Sequence, residues 1–293
     1  MDINLFFEEF DYPKEARIEL ERVADSIHAN AEANMIFCEI IDTYRKNWDG
    51  DYKYIPEATM KISEIIGEEF YTVDLLAYIY MSEPLRELYK AKGIGDDIWK
   101  NTMLDLKYKL LECHDVKHVW GTFVGRWFDG FFNLTRFAFG RLQFEVLPLE
   151  HEYSRNGKTL TASSPVIYVH IPRTFTPIDE KSCDEAYAMA KEFFKDKFDS
   201  EQVPFACHSW LLYPANFDIV SEKSNIYRFI SEFDIFYSKD DKDDSRPEMW
   251  RLFDMDYTGD VNDYPENTSL RKRYKEYMLQ GGKTGEGLGV FFR

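Results

Sequence analysis

The run Pro165-Val166-Ile167-Tyr168-Val169-His170-Ile171 is apolar and rich in β-branched residues, and a second such run follows at Phe205-Ala206-Cys207-His208-Ser209-Trp210-Leu211-Leu212. Both are too short for buried helices and therefore predict two central strands. Residues 180–198 between them place apolar side chains at helical spacing. A strand, a helix and a strand in this order predict a right-handed parallel unit.

Further strands are expected on either side of this unit. Leu142, Phe144 and Val146 alternate with polar residues, which predicts a half-exposed strand. Asn156-Gly157 is a strong hairpin signal. The remaining predicted elements are a short helix at 226–233, a strand at 234–237, a helix from the capping residue Thr268 to about Leu279, and a closing strand at 288–292. Together they predict mixed α/β structure around a central twisted sheet.

The first part of the chain has the apolar spacing of helices and no period-two alternation up to about residue 115. Ser82-Glu83-Pro84 predicts a helix start, because a hydroxyl and a proline both suit a first turn. Residues 129–137 are expected to form one more helix. The fold class is therefore α+β, with an all-helical N-terminal domain at 1–120 and a mixed α/β domain at 121–293.

The chain has 293 residues and a formal charge of −17, which argues against a general nucleic-acid or membrane partner. No apolar stretch approaches the ~20 residues that span a bilayer. The acidic N-terminus lacks the basic region of a signal peptide, so a cytoplasmic protein is expected. Four scattered cysteines predict neither a zinc site nor a disulfide framework, and no metal is expected. Asp240, Asp241, Asp243 and Asp244 predict a solvated acidic turn.

The densest cluster of functional groups is Cys207-His208-Ser209. Neighbours on a strand point to opposite faces, so Cys207 and His208 are not expected to form a dyad. Cys207 fits a small buried core residue. His208 is a candidate general base, because imidazole titrates near neutral pH.

His170 ends the other central strand, where open α/β sheets place ligands. The loop after it, Arg173 to Pro177, and the helix start near Asp179 allow either an anion site or a simple capped turn. Further positive charge collects at Arg136 and Arg141 and on the segment 271–275. No dinucleotide, P-loop, zinc-protease or hydrolase motif is present.

Several segments in a characteristic order resemble a bacterial family of acyltransferase-domain proteins. The family has a helical N-terminal domain and a C-terminal domain like the Gcn5-related N-acetyltransferases (GNAT-like). The segments are Gly140-Arg141-Leu142-Gln143-Phe144-Glu145, His170-Ile171-Pro172, Cys207-His208-Ser209-Trp210-Leu211-Leu212, Ser224-Asn225-Ile226 with Phe229 and Phe233, and Thr268-Ser269-Leu270. The resemblance covers nearly the whole chain.

The resemblance implies transfer of an acyl group from a coenzyme A thioester to an amine or similar nucleophile, and we expect direct attack without a covalent enzyme intermediate. Its two central strands, here 165–171 and 205–212, would splay around the pantetheine arm, and a strand amide would polarise the thioester carbonyl. The implied coenzyme A contacts are Val169, Ile171, Arg173, Thr174, Thr176 and Arg141. The implied catalytic groups are His208, or His170 through water, as base, with Ser209 and Tyr227 near the leaving thiolate.

The superfamily's phosphate loop follows the pattern [RQ]-x-x-G-x-[GA], and here only Arg173 matches it. This departure leaves open a catalytically degenerate protein that only binds acyl-CoA or another small ligand. A third hypothesis is a hydrolase or transferase that uses Cys207 as its nucleophile. The expected partners are a small-molecule acyl donor and acceptor, and a homodimer is allowed. The helical domain could serve as a lid, a dimer surface or an acceptor site.

Overall fold

The computed structural model describes residues 2–242 and 246–293. It divides into two units, Met1–Ala138 and Phe139–Arg293. In the described residues no helix is both long enough and apolar enough to cross a bilayer.

The first unit is built from helices, as predicted. They are α1 (Ile3–Glu9), α2 (Lys14–Ala29), α3 (Ala31–Lys46), α4 (Tyr54–Ile66), α5 (Phe70–Ala91), α6 (Asp96–Lys117) and α7 (Asp129–Phe132), with a 3-10 turn at Gly125–Phe128. Helix α4 ends as expected at Gly67, which adopts the left-handed conformation that glycine tolerates best. Buried aromatic rings such as Tyr44, Tyr78 and Phe132 fill the core of this unit.

Two predictions in this unit are wrong. Ser82-Glu83-Pro84 does not begin a helix, because α5 continues through Pro84 as one long buried helix. The Ser82 hydroxyl instead donates to the Ile79 carbonyl inside that helix. The helix expected at 129–137 stops at Phe132, and the chain enters a strand at Arg136. Burial along α5 outweighs the local signal of its proline. The second helix ends where Leu134 adopts a left-handed conformation with φ 58°.

The strands of the second unit are β2 (Leu142–Pro148), β3 (Tyr153–Arg155), β4 (Lys158–Leu160), β5 (Pro165–His170), β6 (Pro204–Ser209), β7 (Asp234–Asp240) and β8 (Gly285–Phe292). They are preceded by β1 (Arg136–Phe139), which spans the division between the units. Six of them form a mixed sheet in the order β1-β2-β5-β6-β8-β7, while β3 and β4 form a separate hairpin. Asn156 and Gly157 at the hairpin tip both have positive φ, which confirms the Asn-Gly signal.

The helices of this unit are α8 (Glu180–Phe193), α9 (Asn216–Ile219), α10 (Asn225–Ser231), α11 (Trp250–Phe253) and α12 (Ser269–Leu279). Thr268 caps α12 as expected, its hydroxyl accepting from the Arg271 amide at 3.2 Å. Helix α8 ends earlier than residue 198, and a 3-10 turn follows it at Lys195–Lys197. The second central strand ends at Ser209 instead of Leu212, because residues 210–212 form a 3-10 turn capped by the Ser209 side chain.

The two faces of the sheet are covered differently. On one face, Phe205 packs with Tyr187 of α8 and with Phe291. On the other face, Val166, Tyr168 and Ala206 form a core with residues of the β3–β4 hairpin. Side chains alternate along a strand, so His170 and His208 belong to this hairpin-covered face.

The structure corrects the expectation of a half-exposed strand from Leu142 and describes only part of the acidic segment 240–244. Strand β2 is not half-exposed near its start, because Gln143 and Glu145 are buried as deeply as its apolar residues. In the acidic segment, Asp240 pairs with Lys283 at 2.8 Å and the Asp241 carboxylate accepts from the Thr284 hydroxyl. Asp243 and Asp244 lie outside the described residues.

Candidate active site

The two parallel central strands pair over a very short distance. The pairing of β5 with β6 joins Ile167 to Phe205 and Tyr168 to Ala206. Beyond these positions β5 stays paired with β2 up to His170, and β6 stays paired with β8 up to Ser209. The carboxyl ends of the two strands therefore splay apart, as the resemblance implies. A gap opens where ligands bind in open α/β sheets.

His208 stands at the β6 side of this gap. Its Nδ1 lies 2.8 Å from Glu150 Oε2, and its Nε2 lies 3.5 Å from Glu286 Oε1. The side chain is 20% exposed, and the Tyr237 ring meets it edge-on with centroids 6.4 Å apart. Nε2 is buried and makes no hydrogen bond within the described chain. The carboxylate of Glu150 thus orients the ring through Nδ1, and Nε2 is the ring nitrogen that can accept a proton.

His170 stands at the β5 side of the gap. Its Nε2 lies 2.7 Å from Glu145 Oε1, and the Glu145 side chain is only 7% exposed. Glu145 reaches it from β2, where its backbone pairs with Tyr168. The structure therefore places one imidazole–carboxylate pair on each of the two diverging strands.

Ser209 and Cys207 point away from these histidines. The Ser209 hydroxyl accepts from the Leu211 amide at 3.2 Å and so caps the 3-10 turn. Cys207 is 1% exposed, and burial raises the pKa of its thiol well above the ordinary value. Its neutral form is inert as a nucleophile near neutral pH, which argues against the cysteine-dependent reading.

Tyr227 lies on α10, where its amide donates to the Ser224 hydroxyl at 3.1 Å. Its half-buried ring meets Phe217 edge-on, with centroids 5.6 Å apart. In the described chain it belongs to neither histidine–carboxylate pair.

The other predicted contacts lie in or next to the loop between β5 and α8. Arg141 donates from Nη1 to the Pro172 carbonyl at 2.9 Å and from Nε to the Thr176 carbonyl at 3.1 Å. Thr174 and Thr176 hydrogen-bond to each other through their hydroxyls at 3.0 Å. Arg141 and the two threonines therefore shape the loop from within. Val169 is buried, so it can offer a ligand only its backbone.

Arg173 extends from the same loop toward Asp254. Its Nη1 lies 3.1 Å from Asp254 Oδ1, and Arg271 of α12 contacts the other oxygen of that carboxylate. Lys275, further along α12, is used structurally: its Nζ donates to the carbonyls of Asn262 and Tyr264, each at 2.8 Å. In the basic segment 271–275, Arg271 shares the Asp254 carboxylate with Arg173 of the loop between β5 and α8.

The sequence patterns did not identify four acidic residues of the site: Glu145, Glu150, Glu286 and Asp254. Alternation along β2 assigned Glu145 to solvent. Glu150 follows β2, Asp254 follows α11 and Glu286 lies at the start of β8, and none of the three belongs to a motif. His208 and His170 were the only available signals, since a buried imidazole needs a partner. Among the described residues, no cluster of three or more His, Cys, Asp or Glu side chains is arranged to hold a metal ion.

A surface cavity of about 310 Å³ adjoins Glu286, the residue that also faces His208. Acidic side chains of Asp240 and Glu248 line it, together with Lys239. Lys239 Nζ lies 3.8 Å from Glu286 Oε1.

Comparisons with known proteins agree with this architecture. Crystal structures of an acyltransferase share its fold. One, in complex with decanoyl-CoA and teicoplanin, matches with TM-score 0.75 and 16% identity over 99% of this chain and 87% of that one. Another, with decanoyl-CoA, matches with TM-score 0.67 and 19% identity over 96% and 88%. No curated protein matches the sequence.

Family models account for both parts of the chain. Residues 1–134 match the N-acyltransferase N-terminal domain, and residues 136–291 match the GNAT-like C-terminal domain. The second match covers more than half of the chain. The chain therefore belongs to the family defined by the GNAT-like C-terminal domain, preceded here by an N-acyltransferase N-terminal domain.

Proposed function

We propose that this protein transfers an acyl group from an acyl-CoA thioester to an amine acceptor. The observation that carries the proposal is the splay of β5 and β6 beyond Tyr168 and Ala206, with a histidine–carboxylate pair on each strand. A parallel pair that opens at its carboxyl ends leaves backbone groups of one strand facing a gap instead of a neighbour.

The residues around this gap fit a pantetheine arm. Val169 and Ile171 lie past the last pairing of β5 with β6, so we place an extended amide-bearing ligand against the backbone of this segment. An N–H from the same segment supports the thioester oxygen as negative charge develops on it. Arg173, in the loop that follows, supplies positive charge for the phosphates.

His208 acts as the general base in this proposal. Its Nε2 accepts the proton from the attacking nitrogen while Nδ1 remains oriented by Glu150. The bond from nitrogen to the acyl carbon forms, the carbon–sulfur bond breaks, and the departing thiolate takes up a proton. His170, whose Nε2 lies 2.7 Å from Glu145 Oε1, is the alternative base and would act through water.

Ser209 and Tyr227 are proposed to act near the thiolate. The Ser209 oxygen accepts a hydrogen bond from the Leu211 amide, and its own O–H is the proposed donor to the sulfur. Tyr227 lies on α10, and protonation by its phenol requires the ligand to approach that helix. The weaker placement of Tyr227 makes Ser209 the first choice for this role.

Two observations favour an amine acceptor and a fatty donor. The described lining of the cavity beside Glu286 holds four acidic residues and two lysines (Asp240, Asp241, Glu248 and Glu286; Lys239 and Lys242). This negative balance suits a protonated amine before it loses its proton at His208. The solved structures of similar fold include complexes with decanoyl-CoA and octanoyl-CoA, so medium-length acyl-CoAs belong in the first donor panel.

Calorimetry and thiol release test the proposal together. Wild-type protein is titrated with acetyl-CoA and decanoyl-CoA, and free thiol is then measured with a panel of primary amines. His208→Gln should bind the same thioester but lose about 10²-fold in turnover. His28→Gln, an exposed histidine of the helical unit, is the matched control.

Three outcomes are decisive. Binding with amine-dependent thiol release supports the transferase. If the protein binds none of the thioesters, the proposal is wrong. Binding without release for any amine favours the degenerate binding protein instead.

A further inference from the structure

The Asp254 carboxylate lies between two guanidinium groups from different parts of the chain. Arg173 comes from the loop between β5 and α8, and its Nη1 lies 3.1 Å from Asp254 Oδ1. Arg271 comes from the first turn of α12, and its Nη2 contacts Asp254 Oδ2. Two cations thus share one carboxylate in a chain whose formal charge is −17.

Arg271 is fixed in place by bonds other than the one to Asp254. Its Nε donates to the Leu252 carbonyl at 2.7 Å, and its Nη1 donates to Asn267 Oδ1 at 3.0 Å. The side chain is 13% exposed. Asp254 itself has φ 57°, a left-handed conformation that aspartate tolerates, at the end of α11. The guanidinium therefore keeps its position when the carboxylate is replaced.

The neighbouring helix start is poorly suited to hold phosphates alone. Asp179 caps α8, its carboxylate accepting from the Ser182 amide at 2.9 Å. That carboxylate uses one of the free amides and repels an anion. The loop from Arg173 to Pro177 also lacks the glycines that allow close approach of its backbone. Side-chain cations must therefore supply most of the attraction.

We propose that Arg271 and Arg173 together bind the diphosphate of acyl-CoA and that Asp254 is an internal competitor for the same guanidinium groups. The inference rests on the proposed function. A ligand with its arm in the gap between β5 and β6 has its diphosphate beside the loop that follows β5. Guanidinium groups match phosphate oxygens as well as they match a carboxylate. The phosphates displace Asp254 from these groups.

Calorimetry with three ligands tests the inference: coenzyme A, 3′-dephospho-coenzyme A and pantetheine. Asp254→Asn removes the competing charge and should raise the affinity for both diphosphate-bearing ligands about fivefold. Arg271→Gln and Arg173→Gln should lower it about tenfold. None of these variants should alter pantetheine binding. Lys272→Gln, an exposed lysine next to Arg271, removes the same charge from the same helix and should change affinity less than twofold.

Asp254→Asn is expected to raise the affinity for the diphosphate-bearing ligands, whereas Arg271→Gln and Arg173→Gln are expected to lower it. These opposite changes in affinity distinguish ligand binding from a purely structural ion pair. If Asp254 only stabilises the fold, Asp254→Asn lowers or leaves unchanged the affinity for coenzyme A, and the inference is overturned. A gain for coenzyme A but not for its dephospho form also overturns it, because the diphosphate is then not the group that is bound. Wild-type protein that binds none of the three ligands contradicts the proposed function itself. Arg271→Gln that fails to fold leaves Asp254→Asn and Arg173→Gln to decide.

Discussion

Glu150 and His208 meet at 2.8 Å through the carboxylate and Nδ1, which directs the other ring nitrogen of the histidine away from Glu150. Glu150 follows β2 and His208 lies on β6, so the contact brings together residues far apart in the chain. The second carboxylate, Glu286, lies 3.5 Å from Nε2, on the side where the acceptor is proposed to arrive. Glu150 is therefore a positioning residue for the proposed base.

Glu150→Gln tests this positioning. The amide keeps a hydrogen-bonding oxygen but loses the charge that favours the imidazolium ion. We expect kcat to fall by about tenfold, less than for His208→Gln, while the affinity for decanoyl-CoA measured by calorimetry stays unchanged. The side chain is 49% exposed, so the free energy of unfolding should stay within about 0.5 kcal/mol. A kcat equal to that of the wild type, or the same tenfold loss in the His208→Gln background, contradicts the role.

Cys207 should be dispensable. It lies on the opposite face of β6 from His208, and burial raises the pKa of its thiol. Cys207→Ala is expected to retain turnover within about threefold, with any loss due to the small cavity. Iodoacetamide at neutral pH should label Cys38, which is exposed, and spare Cys207. Rapid labelling of Cys207 with loss of activity would restore the cysteine-dependent reading.

His170 and Glu145 should be coupled in stability. Glu145 is buried, so His170→Ala removes a partner from a buried carboxylate and should cost about 3 kcal/mol of unfolding free energy. Glu145→Gln in the same background should recover part of that loss, since the amide carries no charge. Urea titrations of the two single variants and the double variant measure the coupling. Strictly additive losses would show that the pair does not interact energetically.

Asp74 should make the helical unit less stable as the pH rises. The residue is 3% exposed, and burial raises its pKa to about 7, opposed by the hydroxyl of Thr59, which donates to it at 3.1 Å. The folded form therefore holds a proton that the unfolded form has lost between about pH 4 and pH 7. In that window the contribution of Asp74 to stability falls by about 1.4 kcal/mol per pH unit.

Asp74→Asn removes this dependence. The variant should equal the wild type near pH 4 and exceed it by up to about 4 kcal/mol at pH 8, measured by urea unfolding. Asp51→Asn, at an exposed aspartate of the same unit, is the control and should not reproduce the pH-dependent gain. A stability difference between Asp74→Asn and wild type that does not grow with pH would contradict the assignment.

The fold could be predicted well where one local signal dominates. The parallel unit around β5 and β6 and the Asn156-Gly157 hairpin follow from short apolar runs and turn chemistry. Pro84 shows the limit, because burial of the whole α5 helix outweighs the cost of a proline within it.

The site was predictable only in part. His170 and His208 can be identified from the sequence because an imidazole is unusual on a central strand. Their carboxylate partners, Glu145 and Glu150, carry no comparable signal. Glu145 sits at an alternating position that normally faces solvent, and only the three-dimensional packing of the hairpin-covered face buries it. Asp254 meets Arg173 and Arg271 across loops, where no periodicity links distant residues.

A crystal structure of this protein with bound decanoyl-CoA tests the central claim most directly. The account predicts that the pantetheine arm lies between β5 and β6 beyond Tyr168 and Ala206. It also predicts the thioester oxygen within about 3 Å of a backbone N–H of residues 169–171. The acyl carbon should lie on the face that carries His208. A ligand bound elsewhere, with the gap between the two strands closed or empty, would contradict it.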